Sequence, residues 1–196
     1  MLSGEVKSAT NWIQIILPNN VTVELPKNWT LMTEKQRVTI DTFAQVQAEK
    51  IGSHDYSSDF NFAANYFDEH GNTSALINVR YYPNGTIKQN KVISALPAEI
   101  KGYDASVHNE ISKAMKLAGA KLTTWNGTKK QVFLGLVAFV TEYQRSTPTG
   151  GADFVERLVR FYNGSKSFTI TVSYRVDQEF LLKPICDKII TTIQAK

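Results

Sequence analysis

Apolar and polar positions alternate most regularly in the last third of the chain. Residues 121–175 read as four consecutive strands, three of them long, and residues 178–194 as an amphipathic helix that follows them. Asn126-Gly127 and Asn163-Gly164 each stand between apolar runs. Asn-Gly accepts positive φ at both central positions of a tight hairpin, so an antiparallel meander closed by a helix is expected. In Val132–Tyr143 both faces are apolar: Val132, Leu134, Leu136, Ala138 and Val140 on one, Phe133, Val137 and Phe139 on the other. Such a strand belongs inside a sheet with helices over both faces. In the last strand Phe168, Ile170, Val172 and Tyr174 alternate with Thr169, Thr171, Ser173 and Arg175, which predicts an edge position or thin cover.

Earlier segments are shorter. Trp12 to Leu17 and Val21 to Leu25 flank Pro18-Asn19-Asn20 and read as two strands around a turn, with Val21, Val23 and Leu25 on one face. Thr33 and Gln36 form a capping-box pattern that opens a helix expected to run to Lys50, burying Phe43 and Val46. Residues 53–58 read as a loop. Phe60 to Phe67 and Ser74 to Tyr82 read as a hairpin that puts Ile77, Val79 and Tyr81 on one face. Ser94 to Lys101 reads as a helical turn interrupted by Pro97, and Asp104 as the cap of a better helix, Ala105 to Ala118, stopped by Gly119. Residues 1–11 are expected to be a tail and 12–196 one domain, since no repeat or linker interrupts them.

Three pieces carry a resemblance: Val23-Glu24-Leu25-Pro26-Lys27-Asn28-Trp29, Gly135-Leu136-Val137-Ala138 running into Glu142-Tyr143, and Thr169-Ile170-Thr171-Val172-Ser173-Tyr174. With the closing Ile189-Ile190-Thr191-Thr192-Ile193 and the order of elements, the chain resembles the Mog1/PsbP-like superfamily, including bacterial DcrB-like proteins, over residues 12–194. The resemblance implies an α+β fold, a three-layer α/β/α sandwich with a central, mainly antiparallel sheet and a C-terminal helix. It also implies a non-enzymatic binding or accessory role with a protein partner, as in a photosystem subunit and a Ran-GTPase-binding protein. It brings no common set of catalytic residues.

Composition narrows the function classes. A formal charge of +4 comes from scattered Lys and Arg, with no run longer than Lys129-Lys130, so no nucleic-acid groove is expected. No apolar stretch reaches a membrane span's length, and the first residues lack the basic and apolar regions of an export signal. The expected location is the periplasm or cell envelope if such a signal has been removed, and the cytoplasm otherwise. A monomer or weak oligomer is expected. Cys186, the single cysteine, falls one turn from Ile190 and reads as a core residue.

Candidate chemistry is sparse. Asp104, His108 and Ser112 share a helix face, but one straight helix offers no cleft for a triad. His54, Asp55 and Asp59, and Asp68, Glu69 and His70, sit in predicted loops where such residues favour turns. Neither has zinc or calcium spacing, and the glycines form no phosphate loop, so no cofactor or metal is expected. Asn84-Gly85-Thr86, Asn126-Gly127-Thr128 and Asn163-Gly164-Ser165 are accounted for as hairpins. Arg157 breaks its pattern: it shares a face with Val155, Val159 and Phe161, so it must be paired, snorkel, or serve an anionic site. Trp125, beside the Asn126-Gly127 turn, and Tyr82, before Pro83-Asn84-Gly85, are large rings near loop tips and candidate binding anchors. Plugging the ends of the sandwich is their alternative role. A carrier of a small apolar ligand lodged between sheet and helix, or a hydrolase whose site only folding assembles, remain alternatives.

Overall fold

The structure, a computed structural model, describes residues 12–17, 21–38, 60–82, 87–133, 135–148, 150–163 and 166–195. Ten strands and three helices carry the architecture: β1 (Trp12–Leu17), β2 (Val21–Pro26), β3 (Thr30–Leu31), β4 (Phe60–Phe67), β5 (Thr73–Tyr82), α1 (Gln89–Ser94), α2 (Pro97–Leu117), β6 (Leu122–Phe133), β7 (Leu136–Arg145), β8 (Phe154–Asn163), β9 (Lys166–Arg175), α3 (Glu179–Thr192) and β10 (Gln194–Ala195). Residues 34–38 are also helical, and the expected capping box opens them. Thr33 N and Oγ1 each donate to Gln36 Oε1 at 2.9 Å, while Gln36 N donates back to Thr33 Oγ1. The rest of that expected helix, with Phe43 and Val46, and the 53–58 loop lie outside the described residues.

A seven-stranded sheet, ordered β3-β4-β5-β9-β8-β7-β6, is antiparallel at every pairing. On one side, α3 and the small β1-β2-β10 sheet pack against Ala75, Ile77, Val79 and Tyr81 of β5 and Phe168, Ile170, Val172 and Tyr174 of β9. Leu182, Cys186, Ile189 and Ile190 recur at helical spacing, so α3 lays one apolar stripe on this core, with Val23 and Leu25 beside it. Each of these aliphatic side chains stabilises the fold by about 1.5–3 kcal/mol when fully buried. On the other side α1 and α2 cover a smaller cluster built on Val92, Phe139 and Tyr162. The layers make the expected α+β sandwich.

Four details depart from the pattern. First, Asn126-Gly127 is not a hairpin. It lies inside β6, where the register slips between Trp125 and Gly127. Gly127 adopts φ of +82°, the left-handed conformation glycine tolerates at a bulge. The extra residue keeps Trp125 and Thr128 on the same face, where strict alternation would oppose them. Hairpin geometry therefore accounts for Asn163, which pairs with Lys166, but not for Asn126. Second, Val132–Tyr143 is not one strand. The chain reverses between Phe133 and Leu136, which pair with each other, so Val132 and Phe133 end β6. The interior strand is β7; Ala138 and Val140 enter the large core, and Phe139 the smaller one.

Third, β9 is the middle strand of seven, not an edge. Its polar face is tolerated because Ser173 is buried against an acceptor while Thr169 and Thr171 keep partial access to solvent. Fourth, Pro97 opens α2 instead of interrupting a turn; a first helical position needs no N–H. Leu96 N donates to Glu99 Oε2 at 2.7 Å, and Asp104 falls inside the helix rather than capping it. Gly119 ends α2 as expected, with φ of +74° and Ala120 N donating to Met115 O.

Candidate binding face

Antiparallel registers align the side chains under α1 and α2 into rows across the sheet. One row is Arg80–Thr169–Arg160–Phe139–Lys130. The next is Asn78–Thr171–Leu158–Thr141–Thr128, and the third Leu76–Ser173–Glu156–Tyr143–Trp125. The face is polar where the opposite face is apolar. Among the described residues the buried polar or charged ones are Ser74, Thr141, Glu156 and Ser173, and alternation puts all four on this face.

In the third row the buried carboxylate is satisfied. Glu156, only 3% exposed, accepts from Arg145 Nε at 2.6 Å and from Ser173 Oγ. In the second row Thr128 and Thr141 share a 2.7 Å hydroxyl bond. Asn78 Oδ1 and Ser74 Oγ, on the same strand face, are sealed from solvent and have no hydrogen-bond partner among the described residues.

The first row carries three cations. Lys130 Nζ donates to Ile93 O at 3.0 Å and Ala95 O at 2.9 Å, tying β6 to the end of α1. Arg160 donates through Nη1 to the Tyr103 hydroxyl, its one hydrogen-bond partner among the described residues. Its guanidinium lies 5.7 Å from the Tyr103 ring centre, and that ring stacks on Phe139 at 4.7 Å. Burial opposes the charge on Arg160, but Tyr103, Tyr162 and Glu110 outweigh it and raise the pKa above the ordinary arginine value. Burial, with Tyr103 next, also pushes the Tyr162 hydroxyl well above its usual range. Tyr103, Val107 and Glu110 follow one helical stripe, so the sheet-facing side of α2 supplies this environment.

Of the three residues singled out in the sequence, two share this side. Tyr82 is partly buried on β5, opposite Ser167 and one row beyond Arg80. Trp125 ends the third row between α2 and the sheet: its ring meets His108 edge-on at 4.7 Å and stacks on Tyr143 at 5.8 Å. Its Nε1 donates to Asp104 Oδ2 at 3.3 Å. Trp125 thus comes between Asp104 and Tyr143. Arg157 is on the opposite face, paired as expected with a carboxylate. It donates to Asp187 Oδ1 and to Gln131 Oε1, and lies 5.8 Å from the Phe133 ring centre. The three do not meet.

Sequence reading missed Arg80, Tyr103 and Arg160. The signal for Arg160 was present in β8, where Glu156, Leu158, Arg160 and Tyr162 alternate with the face of Arg157. Arg80, in the same row two strands away, is 80 positions away in sequence and joins that row only through the β5-β9 register. Of the loop clusters, Asp68 accepts from His70 N and Asn72 N at 2.9 and 2.8 Å, the turn role expected for it. His54, Asp55 and Asp59 lie outside the described residues. Cys186 is buried in the core, and burial pushes its thiol up to about 12.

No protein-family model and no curated protein matches this sequence. Solved structures do match its fold. The chain is similar to cyanobacterial PsbP (CyanoP) from Synechocystis sp. PCC 6803, with a TM-score of 0.57 and 11% identity over 100% of this chain and 98% of that one. It is similar to the Saccharomyces cerevisiae Ran-binding protein Mog1p, with a TM-score of 0.50 and 9% identity over 95% and 96% of the two chains. The fold is Mog1/PsbP-like. Among the described residues, no helix is long and apolar enough to cross a membrane.

Proposed function

We propose that this protein is a non-enzymatic binding or accessory protein that engages a protein partner through the face beside α1 and α2. The observation that carries the reading is Arg160. A mostly buried guanidinium normally has a carboxylate against it, because an unpaired charge away from water is unfavourable. Here the hydrogen bond among the described residues goes to a tyrosine hydroxyl, and the Glu110 carboxylate acts on the charge without bonding to it, in a row that also holds Arg80 and Lys130. The Ran-binding protein Mog1p, which shares the fold at low identity, supports the idea that this scaffold can serve recognition. Tyr82 belongs to the proposed surface. Trp125 is assigned a supporting role, holding α2 at its height above the sheet.

The test is affinity capture from the native host with wild-type protein and two variants, each checked for folding by circular dichroism. Arg160→Met alters the proposed face. Phe180→Ser alters the other side, where Phe180 of α3 is 91% exposed and offers a rival surface. A partner kept by Phe180→Ser and lost by Arg160→Met supports the proposal. The opposite result would move the binding surface to α3.

A further inference from the structure

We propose that the outer edge of β6, from Thr128 to Phe133, pairs with an extended segment of the protein partner in which acidic and apolar residues alternate. The proposal rests on the binding-face reading above and names the means of docking. β6 ends the large sheet: β7 lies on one side of it, and among the described residues no strand lies on the other. Its register slips twice, between Leu122 and Thr124 and between Trp125 and Gly127. From Thr128 to Phe133 it then runs unbroken against Thr141 to Leu136. In such a ladder every second residue directs its N–H and C=O away from the paired strand. Those groups form an open row about 20 Å long, and an extended chain matches their spacing.

The side chains along this edge set the pattern of the occupant. Paired residues share a face, so Lys129 stands with Val140 on the side of α3. Lys130 and Val132 stand with Phe139 and Val137 on the side of α1. Val132 is 71% exposed, although a β-branched side chain packs best against strand neighbours on both sides. Lys130 holds the Ile93 and Ala95 carbonyls, which brings the exposed Ile93 and Leu96 to this stretch of the edge. A strand laid beside β6 therefore meets apolar surface on the α1 side and the exposed Lys129 on the other. The surroundings are basic as well. From Lys88 to Lys101 the chain carries three lysines, all exposed, against one acid, Glu99, whose carboxylate accepts from Leu96 N. Bulges and lysines are devices that keep an edge from joining its own kind. A second copy would add another Lys129-Lys130 pair to the same seam, whereas a segment with carboxylates opposite Lys129 complements it.

The experiment titrates the full chain with acetyl-Gly-Val-Glu-Val-Glu-Val-Gly-amide, with its Val-Lys counterpart, and with the Val-Glu peptide N-methylated at every residue. Affinity and amide hydrogen exchange are read by nitrogen-15 NMR, and self-association by sedimentation. In the free chain every second amide from Thr128 to Phe133 should exchange quickly. The Val-Glu peptide should bind with a dissociation constant of about 1 mM or tighter, slow those amides, and bind less tightly as salt rises. The Val-Lys and N-methylated peptides should each bind at least about tenfold more weakly. Lys129→Glu should reverse the preference between the two charged peptides, and Val132→Ser should weaken both about fivefold. Each should leave the melting temperature unchanged, because both side chains are exposed. Amides already protected in the free chain, no binding of the Val-Glu peptide at about 1 mM, or binding that leaves the β6 amides unchanged overturns the proposal. A stable dimer that protects them overturns it too, in favour of a second copy. If the peptides fail while Arg160→Met still loses the captured host partner, the binding face stands and only strand addition at β6 falls.

Discussion

Replacing Trp125 with alanine separates a structural strut from a docking anchor. The ring contacts His108 of α2 and Tyr143 of β7, and its Nε1 supplies the bond to Asp104 Oδ2. Truncating a core aromatic to alanine destabilises by about 3–5 kcal/mol. Trp125 keeps partial access to solvent, so the low end applies, about 3 kcal/mol including the stranded carboxylate of Asp104, whose other oxygen is already without a partner. For a chain of this size each kcal/mol moves Tm by about 2–4 °C, so a fall of about 6–12 °C is expected. In urea the midpoint should drop with an unchanged slope. Trp125→Phe retains most of the ring and should lose only about 1 kcal/mol, the net worth of the Asp104 bond. A Trp125→Ala protein within about 1 kcal/mol of wild type that no longer captures its host partner would refute the reasoning. The ring would then belong to the partner's footprint.

Arg145→Met should destabilise by about 3 kcal/mol in urea, because it leaves the buried Glu156 carboxylate with only Ser173, and adding Glu156→Gln should restore part of the loss. Gly127→Ala should cost about 1–2 kcal/mol by thermal unfolding, from the left-handed backbone alone, since the nearest atom to a built Cβ is Asp104 Oδ1 at an ordinary 3.6 Å. Cys186 should resist an aromatic disulfide reagent at pH 8 until the protein is unfolded, because its thiol is pushed up to about 12. Tyr162 and Tyr174 are also raised, both chiefly by burial. All three are acids whose neutral form the fold favours. Their contribution is complete below the unfolded values of 9.0 and 10.0 and drains away as pH rises toward the folded ones. Stability measured across alkaline pH should fall in that window, and a flat profile would contradict it.

The fold was legible wherever the signal was local. Burial of alternate residues located β5, β8 and β9, the Thr33–Gln36 pair marked a helix start, and Gly119 a helix stop. Reading failed where a local cue had two meanings. Asn126-Gly127 carries hairpin chemistry, yet the same left-handed glycine also makes a bulge, and only pairing with Tyr143 and Glu142 decides between them. Val132 and Leu136 sit on one face of an idealised strand, so the reversal after Phe133 was hidden inside an apolar run. Thr169 and Thr171 looked like an edge because the pattern records polarity, not which neighbours share it. The candidate face was less legible still. Its first row joins residues from five strands, and no window of sequence holds more than one or two of them.

Thr192 links two ends of the fold that are 168 positions apart. Its Oγ1 accepts from Glu24 N at 2.9 Å and donates to Ile189 O at 2.7 Å, while Gln194 and Ala195 pair with Thr22 and Val21. The β1-β2 hairpin therefore acquires its third strand, and its seat against α3, only from the last described residues. During synthesis it would wait for the 168 positions that separate Glu24 from Thr192 to emerge, with Val23 and Leu25 lacking the helix that buries them. Contacts of such sequence separation form slowly, because a long loop must close before they repay its lost entropy. The large sheet, whose later hairpins are sequential neighbours, is free to assemble ahead of it. Refolding should thus show the N-terminal hairpin gaining hydrogen-exchange protection together with α3, and after the β7-β8-β9 meander.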